Sequence, residues 1–257
     1  MNIIQSLIIA ISMYSKIPMP QTEWKKENMK YAMCFFPLVG VIIGGVIWLV
    51  GKGVFALSCG TLFRAAVFTL LPILISGGIH IDGFMDTMDA LASYGDKEKK
   101  LAILKDSHAG AFAILGLGCY LVWSLAVWSE VTEEMLGVIA GIFVISRALS
   151  GISVVSFQSA REHGLAKTFQ DGARKRNVQL TMVGYLILAM GIMLWQNAIM
   201  AAAAAIAAAL IFIYYRAVCR KQFGGVTGDL AGYFLVLAEL AMVTIIVVCG
   251  GRLWNCY

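Results

Sequence analysis

Apolar residues run along this chain in long unbroken stretches, without the one-in-two alternation of a half-buried strand. Seven stretches stand out, approximately Tyr31–Val50, Val54–Ile79, Ala109–Trp128, Met135–Ser156, Val178–Trp195, Ile199–Tyr215 and Tyr233–Gly250. Each is close to the roughly 17–25 residues that a helix needs to cross a bilayer. In lipid only helices and closed barrels satisfy their own backbone polar groups, and continuous apolar runs favour helices. The stretch Met1–Met13 is apolar as well, but it is short for a crossing and reads as a re-entrant or interfacial helix. It has no basic start and no small-x-small cleavage site, so it does not read as a removable signal peptide. The expected fold is an all-α integral membrane protein. It has about seven transmembrane helices plus a short N-terminal apolar helix, in one polytopic domain spanning residues 1–257.

Composition agrees with this pattern. Of 257 residues, 60% are hydrophobic and 14% charged, against roughly 45–50% and 25% in ordinary globular domains. Disorder, a collagen-like fibre and a disulfide-stapled module are excluded. The six cysteines form no CxxC pair and mostly sit in apolar runs, so they read as small buried hydrophobes.

Charge then orders the loops. Four long polar connections, Ser15–Lys30, His80–His108, Phe157–Asn177 and Arg216–Gly232, hold sixteen of the chain's 20 Lys and Arg residues. The connections at the other side hold only Lys52 and Arg252, against Glu130, Glu133 and Glu134. With seven spans the two classes alternate without conflict, and the positive-inside rule puts the four long loops in the cytoplasm. The net charge of +5 therefore does not indicate nucleic acid as a partner. Membrane lipid is the expected surround, in the cell (cytoplasmic) membrane, and a homo-oligomer is compatible with the sequence. Gly40, Gly44 and the alanine run Ala201–Ala209 would let helices pack closely.

The most informative segment is Gly77-Gly78-Ile79-His80-Ile81-Asp82-Gly83-Phe84-Met85-Asp86-Thr87-Met88-Asp89. Its three carboxylates recur at i, i+4 and i+7, on one face of a helix. Like charges so placed destabilise a helix, more so in the lower dielectric of a membrane edge. No Lys or Arg occurs between Arg64 and Lys97 to offset them. A divalent cation is the natural compensation, and all-oxygen ligation favours Mg²⁺ or Mn²⁺. A solvated acidic helix N-terminus is the plainer alternative. Asp106, in Lys105-Asp106-Ser107-His108, reads as a further ligand, as a general base, or as the N-cap of the span that follows. His80 and His108 read as polar residues at the membrane edge.

Two charges fall inside spans and are functional candidates on that ground. Arg147 can bind phosphate, or pair with an inward Asp or with Glu239. Arg64 reads as a snorkelling side chain. Gly224-Gly225-Val226-Thr227-Gly228-Asp229 lets backbone approach an anion ahead of a helix N-terminus. It is not a Walker A sequence, and Asp229 can equally be a plain N-cap. Arg174-Lys175-Arg176 reads as a headgroup cluster. Together these features point to metal-assisted phosphoryl or phosphodiester transfer at one membrane face. Substrates do not follow from the spacing.

At these residues the chain resembles the cobalamin synthase family, the adenosylcobinamide-GDP ribazoletransferases. The resemblance runs through Tyr14-Ser15-Lys16-Ile17-Pro18-Met19-Pro20, Phe36-Pro37-Leu38-Val39-Gly40, the acidic segment and Lys105-Asp106-Ser107. It continues through Ser146-Arg147, Ala160-Arg161-Glu162 with Gly164-Leu165, and Gly224-Gly225 with Thr227-Gly228-Asp229 leading to Glu239. It implies a transferase of cobalamin biosynthesis that uses Mg²⁺. A ribose hydroxyl of α-ribazole, or of its 5′-phosphate, attacks the cobinamide-bearing phosphate of adenosylcobinamide-GDP and GMP leaves.

The resemblance also implies roles. Asp82, Asp86 and Asp89 hold the metal, and Asp106 is a ligand or base. Lys16, Arg147 and Arg161 meet phosphate charge. His80, Gly224, Gly225 and Asp229 shape the substrate pocket. Ala90, His108, Lys16 and Val236 depart from the family's usual Gly, Arg, Arg and Glu at those positions.

Two other readings stand beside it. A CDP-alcohol phosphotransferase would carry Ala-Arg after the first Asp-Gly and an Asp four residues after the third; this chain has Phe84-Met85 and Ser93. A cation transporter would set ionisable groups near the midplane, open alternately to both sides. Here nearly all lie at one face.

Overall fold

The computed structural model describes residues 3–22 and 26–250. Among the described residues the chain is helical throughout, apart from connections and one isolated parallel bridge, Ser159 to Val226. The helices of seven or more residues are α1 (Ile3–Tyr14), α2 (Phe36–Ala56), α3 (Thr61–Ser76), α4 (Ile79–Ala92), α5 (Lys97–Ile103), α6 (Ala111–Ser129), α7 (Leu136–Ser156), α8 (Leu165–Gly172), α9 (Lys175–Gln196), α10 (Ala198–Val218) and α11 (Gly228–Gly250). Six of these segments are long and apolar enough to cross a membrane. A seventh crossing is available only if α3 and α4, which meet at 95°, act as one bent pair. The expected multi-pass helical bundle with its short N-terminal apolar helix is what the chain forms, α1 being that helix. Met1 and Asn2, the start of the predicted segment, lie outside the described residues.

The expected span Val54–Ile79 is the one that the structure redraws. Helix α2 continues to Ala56, and the chain reverses through Leu57–Gly60, with Ser58 at φ +51°. Hydropathy ran through this turn because Val54, Phe55, Ala56 and Leu57 are all apolar. At the far end Gly77 and Gly78 both sit at positive φ, +67° and +79°. Two successive left-handed residues break the helix, and glycine alone takes that conformation at low cost. The chain therefore re-enters a helix at Ile79 in a new direction. The last span also begins earlier than its apolar run, at Gly228, which puts Asp229 in its first turn.

Helix α7 is the centre. Apart from its serines and Arg147 it is apolar, and most of its residues are buried, as suits a helix inside a bundle. Helices α2, α9 and α11 pack around it. The α2 contact is closest. A Cβ added at Gly40 would meet the Phe143 carbonyl oxygen at 2.2 Å, and one at Gly44 would meet that of Ala140 at 2.2 Å. Without a hydrophobic drive between helices in lipid, such backbone approach is the main source of association. On α9 and α10, Leu180, Ile187, Leu188, Ile206, Leu210 and Ile213 stay exposed, as suits faces that meet acyl chains.

Alternation of the spans gathers the long connections at one end. The bend before α4, helices α5 and α8, and the segments at Phe157–Gly164 and Cys219–Gly228 all lie there. Among the described residues the opposite end carries short turns, with Lys52 and Glu133 paired at 2.7 Å.

Gly44→Val is expected to lower the melting temperature in detergent sharply, since it forces α2 from α7; overpacking costs roughly 1–3 kcal/mol even where side chains alone must yield. Gly45→Ala, where a Cβ meets nothing within 4 Å, should be neutral. Equal melting of the two variants would contradict the packing described.

Candidate active site

The double glycine aims α4 across the start of α11, and a third glycine sets the distance. A Cβ on Gly83 would lie 2.7 Å from the Asp229 carbonyl oxygen and 2.8 Å from its Cα. With only hydrogen there, the Asp82–Asp86 turn and Asp229 face each other. Asp86 stands in the field of Asp82, Asp229 and Asp89, with Arg161 acting in the opposite sense. Neither Asp82 nor Asp86 has a hydrogen-bond or ion-pair partner among the described residues. Asp86 is half-buried and Asp82 exposed.

Asp89 is differently placed. From i+4 to i+7 an α-helix turns back by about 60°, and this carries Asp89 to the N-terminus of α6. Its carboxylate accepts the Gly110 N–H at 2.5 Å and the Ala113 N–H at 2.9 Å. It thus meets two backbone donors that a helix start leaves unsatisfied, at the positive end of the dipole. Helix α6 has Gly110 as N-cap residue, with no side-chain cap of its own.

Asp106, one candidate for that cap, instead lies on an exposed loop. It accepts the His108 backbone N–H at 3.0 Å and pairs with its ring at 2.7 Å. His108 holds the Asp106 carboxyl below the usual carboxylate range. No contact joins Asp106 to Asp82, Asp86 or Asp89 among the described residues.

Arg161 brings a cation to the acidic face. It ion-pairs with Asp229 at 3.5 Å and donates to the Leu101 carbonyl at 3.2 Å. It comes from the extended segment after α7, which is pinned to the glycine loop. Val226 N–H donates to the Gln158 carbonyl at 2.8 Å and Ala160 N–H to the Val226 carbonyl at 3.0 Å. Gly225 is required there, because a Cβ would lie 2.5 Å from the Ala160 nitrogen. Gly224 turns the chain at φ +77°. Gly224 and Gly225 also line a cleft of about 360 Å³ with Arg216, Arg220 and Gln158. Thr227 Oγ1 accepts the Leu230 N–H at 3.2 Å and caps α11. Asp229 is therefore free of that duty and turns its side chain to Arg161 and the acidic face.

The remaining candidates lie around this centre. Lys16 is exposed at the α3–α4 bend, where its stem covers Gly77. Arg147 is 1% exposed and bonds Glu239 at 2.6 Å, Ser146 Oγ at 3.2 Å and the Phe143 carbonyl at 3.1 Å. Of the partners open to Arg147 in the sequence, the fold supplies Glu239, and any phosphate would have to displace it. Arg64 donates to the Cys59 carbonyl and lies over the Phe55 ring.

His80 is buried beneath the acidic face, its ring 6.4 Å from that of Tyr14. It lines a cavity of about 290 Å³ with Tyr14, Phe36, Asp82, Ser150 and Asp229. Sequence reasoning singled out neither Tyr14 nor Ser150 as site residues. For Ser150 a signal existed: Ser146, Arg147, Ser150 and Ser153 form a polar stripe on an otherwise apolar span.

Among the described residues no group of three or more His, Cys, Asp or Glu is set to hold a metal by itself. What is present is a pair of unpartnered carboxylates one turn apart, with Asp229 opposite. That donor set is all oxygen. It fits an ion such as Mg²⁺, which keeps most of its waters and uses one or two carboxylates together with substrate phosphates.

A family model described as cobalamin-5-phosphate synthase matches residues 6–247. A protein of Lachnoclostridium phytofermentans is 48% identical over 251 residues, covering 98% of this chain and 96% of its own. One from Clostridium perfringens is 33% identical over 94% of this chain and 97% of its own. One from Desulfitobacterium hafniense is 32% identical over 92% and 94%. All three are named adenosylcobinamide-GDP ribazoletransferase. No solved structure matches the chain.

Asp89→Ala removes the acceptor at α6 and is expected to cost about 1–2 kcal/mol in stability, read by thermal unfolding in detergent. Asp82→Asn should cost nothing, because it relieves repulsion. A stable Asp89→Ala variant would contradict the capping role. Arg147→Met strands Glu239 and is expected to cost about 3–5 kcal/mol, whereas Arg147→Met with Glu239→Met should recover most of the loss. A double variant as unstable as the single one would show that the pair is not the reason for their burial.

Proposed function

The chain belongs to the cobalamin-5-phosphate synthase family, and on that premise we propose that it joins adenosylcobinamide-GDP to α-ribazole, or to its 5′-phosphate, with release of GMP. The unpartnered Asp82 and Asp86 facing Asp229 and Arg161 carry the reading. That face lies at the end of the bundle that gathers the basic loops, so the positive-inside rule directs it to the cytoplasm, where the nucleotide substrate is soluble.

The reaction breaks a phosphoanhydride linkage and makes a phosphoester. The ribose hydroxyl oxygen of ribazole forms a bond to the phosphorus that bears cobinamide. The bond from that phosphorus to the bridging oxygen breaks, and GMP carries the electron pair away. The hydroxyl proton passes to a carboxylate of the Asp82–Asp86–Asp229 face. Arg161 already opposes negative charge there and is placed to meet the phosphates as charge moves onto the leaving oxygen. The cleft of Arg216, Arg220, Gly224 and Gly225 suits the guanosine diphosphate end, with cations and exposed loop backbone. Asp82 and Asp86 would hold Mg²⁺, which when bound neutralises phosphate charge and orients the reacting oxygens. Asp89 acts through α6, fixing the helix against which α4 packs.

The test uses protein in detergent with adenosylcobinamide-GDP, α-ribazole and Mg²⁺, following GMP and the corrinoid product. Product should form only with the metal, and chelation should abolish it. Asp86→Asn should reduce the rate at least about 100-fold, the size of a lost electrostatic contribution in catalysis. Undiminished rate in Asp86→Asn would remove Asp86 from the reacting centre.

A further inference from the structure

The cavity beneath the acidic face shares only Asp82 and Asp229 with the chemistry above, and the rest of its wall is specific. Met13, Met33, Val154 and Leu235 make most of it apolar, and Tyr14 and Phe36 set two aromatic rings 4.3 Å apart along it. Two residues of this wall, His80 and Ser150, carry polar atoms, Nε2 and Oγ, that lie just behind it and have no hydrogen-bond partner among the described residues. Their residues are 9% and 1% exposed. Buried polar atoms are nearly always paired, and an orphan costs free energy until something meets it. Two such residues in one wall, with Asp82 and Asp229 beside them, suit a ligand of mostly apolar surface. It has one or two polar atoms at its buried end and its reactive end at the carboxylates.

The substrates of the proposed reaction offer three ring systems. A corrin macrocycle is too large for about 290 Å³. Guanine carries donors and acceptors around most of its edge, and an apolar wall with two polar atoms would leave most of them unpaired. The benzimidazole base of ribazole is flat, largely apolar and has one free ring nitrogen, an acceptor. We propose that this cavity receives the benzimidazole base of the acceptor nucleoside, with the Ser150 hydroxyl turning to donate to its ring nitrogen, His80 closing the same end, and the Tyr14 and Phe36 rings packing along one side of the base. The base then fixes the ribose, and its hydroxyl is presented at Asp82 and Asp229. This inference rests on the reaction proposed above and goes further, in assigning where the acceptor binds and what selects it.

Two variants of the full chain in detergent test it. Ser150→Leu fills the cavity, and Ser150→Ala removes one polar atom. Ser150→Leu should raise KM for α-ribazole at least about tenfold while KM for adenosylcobinamide-GDP stays within about twofold. Ser150→Ala should narrow the preference for α-ribazole over a riboside whose base has C–H in place of the ring nitrogen. Independently of turnover, free benzimidazole should raise the melting temperature of the wild type and not that of Ser150→Leu. The inference is overturned if both variants keep the wild-type KM for α-ribazole, if the donor's KM rises instead, or if benzimidazole shifts both proteins equally. Wild-type protein that releases no GMP while still responding to benzimidazole would defeat the reaction and leave the cavity assignment standing.

Discussion

Carboxylates brought together at the rim of an apolar bundle repel one another, and the surrounding medium does little to screen them. Here Asp82, Asp86 and Asp229 converge where two helices cross, with Arg161 as the opposing charge. The surrounding features make this convergence possible. Gly77 and Gly78 break the helix so that its acidic half crosses α11. Gly83 lets backbone touch backbone at the crossing. Asp89 fastens the far end of α4 to α6, and Thr227 caps α11 so that Asp229 does not have to. A fold that holds unpaired acids together in this way stores affinity for something cationic.

Charge inside the bundle is handled in the opposite manner. Arg147 and Glu239 lie on neighbouring helices and neutralise one another, with Ser146 and the Phe143 carbonyl meeting further hydrogen-bonding groups. The pair sits on the two helices that carry Ser150 and Asp229, so it ties together the walls of the cavity and of the acidic face. Positioning is the role that this geometry supports for Arg147, while Arg161, on the loop and only partly buried, keeps access to solvent and substrate.

Much of this was legible in the chain. Unbroken apolar runs gave the spans, because lipid leaves helices few alternatives. Gly40 and Gly44 announced a close helix contact without naming its partner, and Asp82 and Asp86 announced a shared face. What hydropathy could not register was direction. The apolar run from Val54 conceals a full reversal at Leu57–Gly60, since turn residues at a membrane surface can be as apolar as the span itself. The 95° break at Gly77–Gly78 depends on two backbone torsions that no periodicity encodes. Asp89 shares the repeat of its neighbours, yet its 60° offset and the position of α6 give it a different partner. Asp106 read as a ligand, a base or the cap of the next span, and the fold gives the capping task to Asp89, 21 residues before Gly110. The cavity could not be read at all, because Tyr14, His80 and Ser150 meet only through tertiary packing.

The central claim is that the Asp82–Asp86 face binds a divalent cation. Titration of Mn²⁺ into detergent-solubilised protein, followed by the loss of the free-ion electron paramagnetic resonance signal, tests it most directly. The account predicts saturable uptake by the wild type that disappears when Asp82 and Asp86 are both changed to Asn, in a variant that still melts cooperatively. Uptake of the same affinity and stoichiometry in that double variant would contradict it.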